Sequence, residues 1–155
     1  MKNVIVIGSG NVASHIINFI LANSQLNLVQ IYARNYNSLK NVANENLITT
    51  DFSKIKEADV YIIAVSDNAI HEVSAQFPFK NRLVVHTSGS ADLENINKKN
   101  RRGVFYPLQT FTKNKPVTFS EIPFCLETEF EEDFNVLENF AHQFSDKTYK
   151  ISSEQ

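Results

Sequence analysis

Apolar residues along this chain fall into short β-branched runs separated by stretches with a helical repeat. Val4-Ile5-Val6-Ile7 is the first such run and ends at Gly8; it suits a strand buried on both faces of a parallel sheet. Asn11–Ala22 follows, with Val12, Ala13, Ile16, Ile17, Ile20 and Leu21 at helical spacing. Leu26–Tyr32 reads as a second strand, Ser38–Asn44 as a short helix with Ser38 as N-cap, and Leu47–Thr50 as a weak strand. The run Val60–Val65 is the strongest strand, and Asn68–Phe77 reads as a helix that stops before Pro78. Leu83–His86, Gly103–Tyr106, Pro123–Glu127 and Thr148–Ile151 are further strands. Between the last two lies an amphipathic helix, Glu131–Phe144, with Phe134, Leu137, Phe140, Ala141 and Phe144 on one face. Strands and helices alternating from the first residue predict βαβ units and a mostly parallel sheet, hence an α/β fold.

With 155 residues, no internal repeat and no Gly-, Ser- or Pro-rich linker, residues 1–155 read as one domain. The 43% hydrophobic and 21% charged fractions exclude a disordered, collagenous or coiled-coil chain. No apolar run reaches the roughly 18–20 residues needed to span a bilayer. The apolar stretch near Met1 is too short for a signal peptide, so a cytoplasmic protein is expected. The single cysteine, Cys125, excludes an internal disulfide framework. A net charge of -2 carries no general nucleic-acid footprint. Its distribution is uneven. Residues 1–44 hold Lys2, Arg34 and Lys40 and no acid, whereas Glu121–Asp146 holds acids and no Lys or Arg, as a solvated acidic helix would. Lys98, Lys99, Arg101 and Arg102 read as a solvated basic turn, and the isolated His15, His71 and His142 offer no metal-ligand spacing.

The segment Gly8-Ser9-Gly10-Asn11-Val12-Ala13 leaves the first strand and opens the first helix. It matches G-x-G-x-x-G/A, the dinucleotide fingerprint, in the strand–turn–helix context that the fingerprint requires. Gly8 permits the tight turn, Gly10 leaves the backbone open to a pyrophosphate, and Ala13 lets the helix sit close to the sheet. The helix N-terminus then presents unpaired N–H groups to the phosphates. An NAD site usually carries an acid about 20 residues further on. Here no acid stands between Gly8 and Glu45, and the second strand ends Tyr32-Ala33-Arg34-Asn35. Arg34 can pair with a 2′-phosphate and stack on adenine, so NADP is the expected cofactor; a surface loop arginine is the plainer alternative.

Beyond the carboxyl ends of later strands stand Val65, Ser66 and Asp67, and then His86, Thr87 and Ser88. Val65 and Ser66 are expected beside ribose and pyrophosphate. Asp67 and Asn68 can equally cap the next helix, and His86 is either a general acid or a partner within its own loop. Ser88 and Thr87 can bind a carbonyl or carboxamide, or merely local backbone. The segment Gly103-Val104-Phe105-Tyr106-Pro107-Leu108-Gln109-Thr110-Phe111, a short strand and the loop after it, lines a substrate pocket or packs on the sheet.

Taken as a series, GSGNVA, IYARN, ADVYIIAVSDNAI, VVHTSGS and GVFYPLQTFTK resemble the N-terminal domain of a bacterial family of NADP oxidoreductases. In that family a Rossmann-like domain precedes a helical domain of unknown function. More distantly the chain is similar to pyrroline-5-carboxylate reductase, deazaflavin-dependent NADP oxidoreductase, and the 6-phosphogluconate and ketopantoate-type dehydrogenases. The resemblance implies a three-layer Rossmann-like NAD(P)-binding fold with a mostly parallel twisted sheet, and a chain that holds the nucleotide half without the helical C-terminal domain. It implies cofactor contacts at Gly8, Gly10, Asn11, Val12, Arg34, Asn35, Val65 and Ser66, a set completed by the neighbouring Ser9, Ala33 and Asp67. His86, Ser88 and Tyr106 are the expected catalytic set, placed only as far as the region near the nicotinamide. The expected activity is hydride transfer between NADP(H) and an unidentified small-molecule substrate, with no nucleic acid or membrane partner and with a homodimer as one assembly the complete protein allows. Two rival readings use the same glycine turn: a non-enzymatic dinucleotide sensor or interaction module, and a methyltransferase, against which Arg34 in place of an acid argues.

Overall fold

Successive side chains of the first strand enter opposite cores. In β1 (Lys2–Ile7), Val4 and Val6 belong to one buried cluster and Ile5 and Ile7 to another. All four are fully buried, as in a strand covered on both faces. The computed structural model describes residues 1–112 and 115–152. Its other elements are α1 (Asn11–Ala22), β2 (Leu26–Tyr32), β3 (Ile48–Thr49), β4 (Val60–Ile63), α2 (Ile70–Ala75), β5 (Leu83–His86), β6 (Arg101–Pro107), β7 (Phe124–Thr128), α3 (Glu131–Ala141) and β8 (Thr148–Lys150). They form one eight-stranded sheet in the order β3-β2-β1-β4-β5-β6-β7-β8. Only the β6–β7 pairing is antiparallel.

The sheet is the middle of three layers. Ile16, Ile17 and Ile20 of α1 share a cluster with Phe134, Leu137 and Phe140 of α3, so both helices cover the face that carries Val4 and Val6. Phe19 of α1 stacks on Phe144, just past α3, with ring centroids 4.3 Å apart. Ile70 of α2 covers the opposite face with Phe52, Ile55, Phe77 and Ile96 from the connecting segments. Fully buried Tyr61 keeps its polar tip satisfied there: its hydroxyl donates to the Lys56 carbonyl (2.7 Å) and accepts from the Ala58 amide (3.0 Å). Burial pushes that phenol up to about 12. In β2 the pairing register shifts opposite Val4 and Ile5, which brings Leu26, Leu28 and Ile31 to the same core despite their unequal spacing.

Several local expectations are corrected. No helix spans Ser38–Asn44; a 3₁₀ turn covers Tyr36–Leu39 instead, capped by the Asn35 side chain, which accepts from the Asn37 amide at 2.8 Å. Arg101 and Arg102 are not a solvated turn but the start of β6. Arg102 pairs with Glu129 (2.7 Å), and Arg101 lies 3.4 Å from Asp133, which is buried. The acidic helix is therefore solvated only in part, and burial pushes the Asp133 carboxyl above its usual range. Asp67 and Asn68 do not cap a helix: Ser66 holds the N-cap position of a 3₁₀ turn over Asp67–Ala69, and no side-chain cap bond forms.

Gly8 has φ +132°, and a Cβ there would lie 2.2 Å from the Ala64 carbonyl oxygen. Both the φ and the contact demand glycine. Gly8→Ala is expected to cost roughly 3 kcal/mol or more, which lowers Tm by about 6–12 °C. Thermal unfolding checks this, and an unchanged Tm would show that the turn relaxes freely.

Candidate functional site

From β1 the chain winds outward to β2 and β3, and β4 then begins the other half of the sheet on the opposite side of β1. The carboxyl ends of β1 and β4 thus flank a switch point, where open α/β sheets form their binding crevice. Main-chain bonds hold that edge together. The Ala64 amide donates to the Ile7 carbonyl (2.8 Å), that of Gly8 to the Tyr32 carbonyl (2.9 Å), and that of Thr87 to the Ile63 carbonyl (3.2 Å).

A cleft of about 710 Å³ opens there. Of the residues expected to bind the cofactor, Gly8, Ser9, Gly10, Asn11, Val12, Ala33, Arg34, Val65, Ser66 and Asp67 line it, and Asn35 does not. At Gly10 a Cβ would meet no atom within 4 Å, so the cleft reaches bare main chain. The N-terminus of α1 has no side-chain cap and no acid in its first turn. Its first amides therefore face the cleft as donors in need of an anion. Ala13 is fully buried behind them. Arg34 is exposed at the β2 end and makes no ion pair among the described residues. A diphosphate between a bare turn and an uncapped helix, with a free guanidinium beside it, fits this donor set.

The three expected catalytic residues are placed differently. Ser88 lines the cleft, with Thr87, while His86 and Tyr106 do not. His86 is fully buried. Its Nδ1 accepts from the Ser88 amide (3.1 Å), and its Nε2 lies 3.0 Å from the Asp92 carbonyl, so the neutral tautomer with the proton on Nε2 satisfies both bonds. Burial, the main cause, holds its pKa below the ordinary value. The Tyr106 ring lies against Gly89, where a Cβ would sit 2.4 Å from it. The Ser88 hydroxyl accepts from the amides of Ser90 and Ala91, both at 3.2 Å. Asp67 accepts from the Ser90 hydroxyl. That bond, and a further one from Ser88, hold the Asp67 carboxyl below the usual carboxylate range.

Tyr32 and Phe111, from the segments IYARN and GVFYPLQTFTK, also line the cleft, as do Glu72, Val73 and Gln76 from α2 and its end, which carry no sequence motif. The α2 set has helical spacing, the one signal that points to a shared face. Phe111 arrives because the segment after β6 crosses the start of α1. The Asn11 side-chain amide donates to the Phe111 carbonyl (3.4 Å), and His15 Nε2 lies 3.0 Å from the Thr112 carbonyl. Leu108, Gln109 and Thr110 are left exposed. A second hollow, of about 910 Å³, runs beside α1 and shares only Ser9 and Asn11 with the first. No group of three or more His, Cys, Asp or Glu among the described residues could hold a metal ion. No helix among the described residues is long and apolar enough to cross a membrane.

An open, mostly parallel sheet with a glycine turn at its switch point and an uncapped helix behind it defines a dinucleotide-binding domain of the Rossmann type. Residues 3–89 match the family "NADP oxidoreductase coenzyme F420-dependent", and the chain belongs to that family. Among solved structures it is similar to the Bacteroides fragilis protein BF3122, assigned as an NADP oxidoreductase, at 32% identity and a TM-score of 0.86, over 99% of this chain and 62% of that one. It shares its fold with a pyrroline-5-carboxylate reductase from Coxiella burnetii at 20% identity and TM-score 0.69, over 99% of this chain and 60% of that one. It also shares its fold with prephenate dehydrogenase from A. aeolicus, solved with hydroxyphenyl propionate and NAD+, at 12% identity and TM-score 0.80, over 99% and 61% of the two chains. The chain thus spans 60–62% of the length of these structures. No curated protein matches the sequence. Family membership implies a nicotinamide dinucleotide as the cofactor.

The depressed His86 pKa has a measurable consequence. As pH falls below the unfolded value of 6.5, the unfolded chain takes up the proton first. The stability that His86 contributes is therefore complete above that pH and is lost as pH drops toward the folded-state pKa, by at most about 1.4 kcal/mol per pH unit. Unfolding of wild type and His86→Gln between pH 7.5 and 5 (roughly the His titration range) should show the gap between them narrowing as pH falls. A constant gap would contradict a neutral buried imidazole.

Proposed function

We propose that this chain is the cofactor-holding part of an NADP-dependent oxidoreductase that moves hydride between the nicotinamide and a small carbonyl, imine or hydroxyl compound. The observation that carries the choice of NADP is Arg34, exposed on the cleft at the end of β2, where an acid would serve NAD. The bound dinucleotide supplies the hydride chemistry, and the protein supplies binding, orientation and exclusion of water. Main chain at Gly8 and Gly10 and the first amides of α1 hold the diphosphate. Arg34 pairs with the 2′-phosphate and covers the adenine. Val65 and Ser66 flank ribose, and Ser88 and Thr87 meet the nicotinamide end. Of the expected catalytic set, Ser88 is the residue a substrate in the cleft would meet, and Tyr106 packs against Gly89 outside it. His86, with both nitrogens engaged, serves as a positioning residue that fixes the Ser88 loop. The same engagement favours the rival reading of a dinucleotide sensor, which needs no proton donor.

Equilibrium binding of NADP and NAD to wild type and Arg34→Ala separates these cofactors. NADP should bind at least about tenfold tighter than NAD. Loss of a charge-assisted pair worth about 1.5–3 kcal/mol should weaken NADP by about 10- to 150-fold and leave NAD within about twofold. Tighter NAD binding, or equal losses for both, would overturn the choice of NADP.

A further inference from the structure

Three charged residues line the cleft: Arg34, Asp67 and, on α2, Glu72. Arg34 stands at the β2 end, and Asp67 stands across the switch point, just past β4, in the cleft lined also by Thr87 and Ser88, which follow β5. Asp67 makes no ion pair among the described residues. The histidine beside it, His86, is buried and spends both nitrogens inside its own loop, so it stays neutral. The carboxylate is also anchored: it accepts from the Ser90 hydroxyl, and Ser90 is tied in turn to Ser88, which is bonded to His86. The bond from Ser90 thus bridges the loops that follow β4 and β5 and restrains the exposed Asp67 carboxylate at the rim of the cleft.

A dinucleotide with its 2′-phosphate at Arg34 and its diphosphate on the glycine turn places its nicotinamide toward this second end. Oxidised nicotinamide carries a positive ring, and the reduced ring is neutral. A fixed anion nearby distinguishes the two forms by charge alone. Resting on the NADP reading above, we propose that Asp67 is a counter-charge for the oxidised nicotinamide, so that this site holds NADP+ in preference to NADPH and makes the bound couple a stronger hydride donor. When hydride leaves C4, the C4–H bond breaks with both its electrons, a new C–H bond forms on the carbonyl or imine carbon, and the π pair of that group moves to its oxygen or nitrogen, which takes a proton from solvent. The positive charge that develops on the ring is then met by a carboxylate already in place, which needs no reorganisation. The reaction direction that this charge assists is reduction of the substrate.

The test uses the 155-residue chain and direct binding. Dissociation constants are measured for NADP+, NADPH and adenosine 2′,5′-bisphosphate, which lacks the nicotinamide, with wild type, Asp67→Asn and the smaller Asp67→Ser. Both neutral variants should weaken NADP+ about three- to tenfold relative to NADPH, and leave the bisphosphate within about twofold. Equal shifts for the two dinucleotides, a ratio that does not move, or opposite behaviour of the two variants would overturn the proposal while leaving the NADP assignment intact. Absence of binding by wild type to all three compounds would overturn the NADP reading itself, and this proposal with it.

Discussion

The structure turns on how closely the main chain at the end of β1 passes the end of β4. Gly8 bonds to the Tyr32 carbonyl on one side and presses against the Ala64 carbonyl on the other, in a conformation open to glycine. That contact lets the chain turn at once into α1. The turn aims the first amides of α1 into the crevice between the two halves of the sheet. A longer turn or a side chain at this point would lift the helix, and the anion-binding end of α1 would then face solvent rather than the cleft.

Much of this was legible in the sequence, for reasons that differ by element. The buried strands announce themselves as β-branched runs, and Leu26–Tyr32 and Leu83–His86 fall where the pattern places them. Helix α1 also matches its predicted bounds, because apolar periodicity and the preceding glycines agree. The short segments were harder. Residues 36–39 form a 3₁₀ turn because Asn35, with an Asx bond to the Asn37 amide, outcompetes Ser38 as a cap. Arg101 and Arg102 look like surface charge until the register of β6 places them beside Glu129 and Asp133, acids roughly 30 residues away.

The glycine turn, Arg34 and the residues after β4 were readable as a cleft because strand ends and the switch-point rule locate them without tertiary detail. Glu72, Val73 and Gln76 were not: their helical spacing puts them on one face, but only the docking of α2 turns that face to the cleft, whereas the segment ending at Phe111 was readable as a pocket wall or a sheet-packing loop. The sequence leaves His86 open between a general acid and a loop partner, and the structure shows both of its nitrogens bonded within the loop. Family membership agrees with the cleft, and the chain spans 60–62% of the related structures.

The claim underneath the whole account is that a diphosphate rests on bare main chain at the start of α1. Gly10 tests it best, since it lines the cleft and a methyl group there meets no protein atom within 4 Å beyond its chain neighbours, so it crowds a bound diphosphate without crowding the protein. Calorimetric titration of Gly10→Ala with NADP, paired with its melting temperature, is the direct measurement. The account predicts stability within about 1 kcal/mol of wild type and dinucleotide affinity reduced by at least about tenfold; a stable Gly10→Ala that binds NADP as well as wild type would contradict it.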